Sequence, residues 1–201
     1  MKRIVFASEN QGKIKEVKEI LAAEGYEVLA MSEAGIRVDI EENGESFREN
    51  AYIKAKAVWD LCKGIVMADD SGLMIDYLNG EPGVYSARYL GKDSSYAFKN
   101  REIIRLMEGA DKEERSARFR ADICCILEDG SVLHTTADME GLIAKEPAGE
   151  GGFGYDPILY LPELGKTSAE LSAEQKNEIS HRGKALRLMR EELRKSGEQK
   201  K

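Results

Sequence analysis

The chain is poor in the residue types that announce the commonest kinds of site. Its three cysteines, Cys62, Cys124 and Cys125, are odd in number and match no zinc spacing. They read as reduced residues of a cytoplasmic protein, which excludes a disulfide frame. There are two histidines, His134 and His181, and His134 has no obvious partners in sequence. No Gly-x-Ser-x-Gly elbow is present, so a serine nucleophile has no support. No apolar run approaches the length that spans a bilayer. Lys2 and Arg3 precede only a short apolar run, so no signal peptide is expected. Positive charge is also short. A formal net charge of −7 argues against bulk attraction to nucleic acid or an anionic membrane. An anionic small ligand would need local lysines, arginines or a metal ion. Repeats, low-complexity segments and linkers are missing as well.

What is present describes a folded domain. A chain of 201 residues, 42% hydrophobic and 33% charged, buries one substantial core. Residues 1–195 are expected to form a single bilobed domain and the polar residues 196–201 a frayed tail. A strand at 3–8, a helix at 12–24 with Ile14, Val17 and Leu21 on one face, and a strand at 26–31 make a β-loop-α-β unit of parallel type. Residues 32–45 read as loop. Ser46-Phe47-Arg48-Glu49 is a capping box, and its helix puts Phe47, Ala51, Ala55, Val58 and Cys62 on one side. A strand at 65–68 is expected to end in a turn, with another at 73–77, then a loop over 78–94 and a helix over 95–108. Residues 116–127 alternate as a half-exposed strand. Glu128-Asp129-Gly130 turns the chain into a strand at 131–139, with a further short one at 141–144. Thr167 with Glu170 and Ser172 with Gln175 are later capping signals. The last helix turns Leu186, Met189 and Leu193 inward. Together these specify an α/β fold with a mixed sheet flanked by helices.

Five clusters have chemical potential. Ile65-Val66-Met67-Ala68 runs into Asp69-Asp70-Ser71-Gly72, which places two acids at a strand end, where ligands of α/β sheets gather. Adjacent residues point to opposite sides, so the acids should have different jobs. Ser8-Glu9-Asn10-Gln11-Gly12-Lys13 opens the first helix, where free N–H groups, Ser8, Asn10 and Lys13 suit phosphate, although the Walker spacing is missing. Glu41 and Glu42, either one together with Asp70, suffice for magnesium. Gly149-Glu150-Gly151-Gly152-Phe153-Gly154-Tyr155-Asp156-Pro157 lets backbone approach a ligand, with Phe153 as a flat face for a base and Asp156 as an acceptor. Lys176 and Ser180-His181-Arg182 add donors near the last helix. Taken singly, the other clusters also fit an ordinary cap or solvated charge, whereas a plain flexible loop would not need Phe, Tyr and Pro packed so tightly as in the glycine segment.

Taken in order, the motifs resemble the inosine triphosphate pyrophosphatase family, also called the Ham1 family. The resemblance rests on Ser8-x-Asn10-x-x-Lys13, Gly44-x-Ser46-Phe47-x-Glu49-Asn50-Ala51, Ala68-Asp69-Asp70-Ser71-Gly72-Leu73, Pro82-Gly83-x-x-Ser86-Ala87-Arg88-Tyr89, Gly152-Phe153-Gly154-Tyr155-Asp156-Pro157 and Ser180-His181-Arg182, from residue 3 to about residue 190. Glu9 departs from it, where many relatives have a small residue.

The resemblance implies a long mixed sheet with two lobes around a central cleft, a homodimer, and magnesium. It implies hydrolysis of ITP, dITP or XTP to the monophosphate and pyrophosphate, which would cleanse the nucleotide pool. Asp70 is then the expected general base and, with Glu41, the metal ligand; the two roles compete, because a metal lowers the basicity of a carboxylate it touches. Lys13 and Lys176 would offset phosphate charge. Asp69 and Ser71 would shape the turn, with Ser71 able to reach substrate. Phe153 would stack on the purine, within the Gly154, Tyr155 and Asp156 motif. His181 and Arg182 would donate to O6. A nucleotide-binding regulator without turnover and a pyrophosphatase for other modified nucleotides are the alternatives.

Overall fold

The computed structural model describes residues 2–22 and 25–198. In chain order the elements are β1 (Lys2–Phe6), α1 (Gln11–Ala22), β2 (Tyr26–Ala30), α2 (Phe47–Cys62), β3 (Val66–Ile75), α3 (Tyr96–Leu106), β4 (Ser116–Ile126), β5 (Val132–Ile143), β6 (Leu159–Leu161), β7 (Lys166–Thr167), α4 (Ala173–Ile179) and α5 (His181–Glu198). The strands form one sheet in the order β2-β1-β3-β4-β5-β6-β7. β1 pairs in parallel with β2 and β3, while β6 is antiparallel to β5 and β7. The sheet is therefore mixed, as the sequence specifies. Among the described residues no helix is long and apolar enough to cross a membrane.

Four expectations are corrected. β3 does not stop at Ala68; it runs unbroken through Asp69, Asp70, Ser71 and Gly72 to Ile75. Gly72 marks a close approach rather than a turn, since a Cβ there would stand 2.3 Å from Ser86 Oγ and 2.5 Å from the Gly83 carbonyl. β5 is likewise one strand through Gly141, where a Cβ would stand 2.5 Å from the Tyr160 carbonyl oxygen. Cys62 is exposed at the end of α2 and not part of its apolar face. α5 continues through Glu198, so residues 196–198 are helical; the rest of the expected tail lies outside the described residues.

By contacts the chain divides into two compact units. The first takes the described residues within Met1–Asp70, Ala121–Ala137 and His181–Lys201. Strand alternation gives it two cores. Ile4, Phe6, Met67, Ala121, Ile123 and Cys125 pack with Ile14, Val17 and Leu21 of α1 and Leu186, Met189 and Leu193 of α5. Val5, Ala7, Val66, Ala68, Cys124 and Ile126 pack with Ala51, Ala55 and Val58 of α2. The second unit takes Ser71–Arg120 and Asp138–Ser180. Its core joins Leu73 and Ile75 to Ile103 and Met107 of α3, with Ala117, Phe119, Met139, Ile143, Leu159 and Leu161. The alternate β4 positions are polar: Arg120 grips Asp138 through two bonds of 2.8 and 2.7 Å, and Arg118 reaches Asp76 at 3.0 Å.

Candidate active site

Period-two alternation along β3 decides where the two acids go. Asp69 follows Met67 onto the face covered by α1 and α5. There it accepts from Lys13 Nζ at 3.0 Å and from Arg182 Nε. Arg182 Nη1 also donates to Glu16 of α1. Arg182 is 1% exposed. Burial pushes the Asp69 carboxyl up, but attraction to Arg182 and Lys13 more than offsets this and holds it far below the carboxylate range. Burial lowers the Lys13 ammonium against the pull of Asp69. Lys13 reaches this place because Asn10 caps α1: its Oδ1 accepts from Lys13 N at 3.1 Å, and Ser8 Oγ accepts from Asn10 N at 3.2 Å.

Asp70 follows Val66 and Ala68 onto the α2 face. Its Oδ1 accepts from Lys54 Nζ at 2.7 Å, and the same ammonium donates to Glu42 Oε2 at 2.9 Å. One ammonium thus joins Glu42 and Asp70. Glu42 is delivered by a fitted loop. Asn50 Oδ1 accepts from Gly44 N at 2.8 Å, and a Cβ on Gly44 would stand 2.7 Å from that oxygen. The capping box at Ser46 and Glu49 closes the loop onto α2. Burial dominates at Asp70 and pushes its carboxyl up to about 6 despite Lys54 and Lys13. Lys54 is itself raised: burial opposes its charge, but Asp70 and Glu42 outweigh it.

The donor set fits a hard divalent cation. Asp70 Oδ2 is buried without a hydrogen-bond partner, and Glu42 stands on the other side of the shared Lys54 ammonium. Three cations (Lys13, Lys54, Arg182) meet four carboxylates (Glu16, Glu42, Asp69, Asp70) here, so a polyphosphate would face net negative charge without an added ion. No group of three or more His, Cys, Asp or Glu able to hold a metal exists among the described residues. Two carboxylates are what magnesium takes from protein, the remainder of its shell being water and phosphate.

In the second unit the glycine-dense loop is organised by Asp156. Its Oδ2 accepts from Phe153 N at 2.8 Å and Lys176 Nζ at 2.6 Å, and its Oδ1 accepts from Ser168 Oγ at 2.8 Å. Lys176 Nζ stands 4.9 Å from the Phe153 ring centroid. Gly152, at φ +69°, leaves Asp156 its place, since a Cβ would lie 2.1 Å from Oδ2. Tyr155 is buried and donates to the Ser86 carbonyl at 2.7 Å.

The structure thus brings Lys13, Asp69, Asp70 and Arg182 together within the first unit, and Phe153, Gly154, Tyr155, Asp156 and Lys176 within the second. Lys176, expected at the phosphates, is held by Asp156 beside Phe153. Arg182, expected at the base, is bonded to Asp69 and Glu16, and His181 beside it is buried. Glu42 rather than the exposed Glu41 is the glutamate brought to Asp70. Ser71 lies in β3 and is half-buried, and Glu9 is exposed. Lys54 escaped the reading of the sequence. The signal was there: Asn50 and Lys54, four apart, sit beside the apolar stripe of α2, and both are buried.

An α/β sheet with paired acids of unequal basicity beside lysines marks a candidate catalytic site. Comparison supplies the family. The Ham1 family profile matches residues 4–192. A dITP/XTP pyrophosphatase of Caldanaerobacter subterraneus is 46% identical over 97% of this chain and 98% of its own length. The dITP/XTP pyrophosphatase of Bacillus subtilis is 45% identical over 94% of this chain and 96% of its own. The solved Ham1 protein of Staphylococcus aureus superposes with a TM-score of 0.86 at 42% identity, covering 97% of this chain and 100% of that one. The chain belongs to the Ham1 family.

Proposed function

We propose that this protein is a dITP/XTP pyrophosphatase that also takes ITP, cleaving between the α and β phosphates to release the monophosphate and pyrophosphate. The observation that supports it most is Asp70, a buried carboxyl raised to about 6 beside Lys54 and Glu42. A carboxylate basic near neutral pH is suited to take a proton from an attacking water. Lys13 and Lys54 bind phosphate oxygens. Asp69, kept ionised, orients Lys13 and never serves as base. Asp70 with Glu42 would hold magnesium, with Glu41 the other candidate, and direct contact with the ion would lower the basicity that the base role uses. When bound, the ion offsets a substrate charge of about four.

Ser8, Asn10 and Ser71 help hold the polyphosphate, and the glycine loop receives the purine. Phe153 stacks on the base, with Asp156 and Lys176 fixing its ring and Gly154 and Tyr155 its backbone. His181 and Arg182 are the candidate donors to O6. Adenine presents an amino group there, and each buried donor left unpaired costs roughly 1–3 kcal/mol. A homodimer acting in the cytoplasm, without nucleic acid or membrane partners, completes the reading and rests on the family resemblance.

The test is incubation with dITP, ITP, XTP, GTP and ATP plus magnesium, with separate detection of pyrophosphate and orthophosphate. Pyrophosphate from dITP, ITP and XTP, at rates at least about a hundredfold above ATP, is expected. Orthophosphate as the product, equal rates on ATP, or no product at all would overturn it.

A further inference from the structure

The loop around Phe153 has a second support, independent of Asp156. Tyr96 opens α3, whose start is capped by Ser95 Oγ accepting from Phe98 N at 3.2 Å. Its ring stands edge-on to Tyr155, with centroids 5.2 Å apart at 88°. At Gly154, φ +68°, a Cβ would come 3.6 Å from the same ring, so the ring lies against bare backbone. One turn along, Asn100 Nδ2 donates to the Gly154 carbonyl at 3.2 Å. Residues four apart share a helix face, so both side chains meet one peptide.

Asn100 is 3% exposed, and its Oδ1 has no hydrogen-bond partner. Burying an acceptor without a donor is unfavourable. The amide therefore sacrifices one bond where it stands while keeping the one to Gly154. The same turn is anchored to the Pro82–Tyr89 motif, for which the proposed chemistry has no role. Lys99 Nζ donates to the Ala87 carbonyl at 2.7 Å, and Tyr155 donates to the neighbouring Ser86 carbonyl. Ser86 Oγ in turn donates to Gly83 O at 2.6 Å and accepts from Leu73 N at 3.0 Å. Helix, motif and glycine loop are cross-bonded into one support.

We infer that Tyr96 and Asn100 are positioning residues for base recognition: they fix the Gly154 backbone, and through it the Phe153 ring. The inference rests on the reading that this loop receives the purine. Neither residue is assigned to the reacting phosphorus, so their loss should act on base binding and leave the chemical step alone.

Steady-state kinetics on ITP and ATP, with thermal melts, test this in Tyr96→Ala, Tyr96→Phe and Asn100→Asp, with Phe153→Ala as reference. Asn100→Asp keeps the volume and puts an oxygen where the Nδ2 donor was. Tyr96→Ala and Asn100→Asp are expected to raise KM for ITP about tenfold and lower the ITP-to-ATP ratio of kcat/KM about tenfold, with kcat within about twofold. Tyr96→Phe should match the parent, because the ring makes the contact. Unchanged KM and ratio in folded Tyr96→Ala would overturn the inference, as would a fall in kcat equal for both nucleotides; if Asn100→Asp does not fold, Tyr96→Ala decides. If Phe153→Ala leaves the ratio intact, the assignment of the loop to the base fails first and the inference falls with it. A ratio sensitive to Phe153 but not to Tyr96 removes the inference alone.

Discussion

Asp69 and Asp70 are neighbours on one strand, both buried, with the same side chain, and their surroundings make them chemical opposites. Asp69 meets a guanidinium and an ammonium and stays ionised. Asp70 shares one ammonium with a second carboxylate and keeps an oxygen without a donor. Burial is nearly equal, at 1% and 6% exposure, so burial alone does not separate them. The partners do. What differs is which helices cover each face: α1 and α5 bring Lys13 and Arg182 to one, and α2 brings Lys54 to the other. A satisfied carboxylate is a strut, and an under-satisfied one is a base or a metal ligand.

The sharpest way to separate them is by turnover. Asp70→Asn should lower kcat by about 10³-fold, within the range for loss of a general base, while nucleotide binding and melting temperature persist. Activity near the parent would remove Asp70 from that role. Asp69→Asn should instead weaken the fold, because Arg182 and Lys13 would keep their charges without their carboxylate; about 3–5 kcal/mol is expected from urea unfolding. A stable Asp69→Asn protein would deny the strut. Lys54→Met comes next. With its nearest cation gone, the Asp70 carboxyl should titrate above 6, and kcat/KM should fall about a hundredfold; an unmoved titration would show that Lys54 is not its main partner.

Part of this contrast was legible in the sequence. Two acids continuing an apolar run imply opposite faces, and Ser8 to Lys13 reads as a capped helix start, but Lys13 as the partner of Asp69 was not visible. The continuity of β3 was not legible, because Gly72 looks like a turn residue until Ser86 is found against it, fourteen residues later in sequence. Lys54 was hidden for a related reason: a helix face predicts which residues are buried, not which buried polar residue meets an acid from another element. The same limit applies to Lys176 and Arg182, whose types suggest phosphate and base, while their partners Asp156, Asp69 and Glu16 become visible only in the fold.

The smallest expected effect is on stability against pH, and its sign differs between the two acids. Asp70 binds its proton more tightly folded, near 6, than unfolded, near 3.8. Its contribution to stability is therefore fully present below about 3.8 and is lost as pH rises to 6. Asp69 is depressed in the fold, so its contribution is present above 3.8 and is lost as the pH falls. Urea unfolding between pH 4 and 7 should show a less negative slope in Asp70→Asn than in the parent; an identical slope would mean that the Asp70 carboxyl is not raised.

The most direct measurement is a carbon-13 NMR titration of aspartate carboxyls in the metal-free protein, with Asp70→Asn and Asp69→Asn for assignment. The account predicts one carboxyl titrating near 6 that disappears in Asp70→Asn and moves down when magnesium is added, and one that stays ionised to the lowest accessible pH and disappears in Asp69→Asn. Two ordinary carboxyls titrating together near 4 would contradict it.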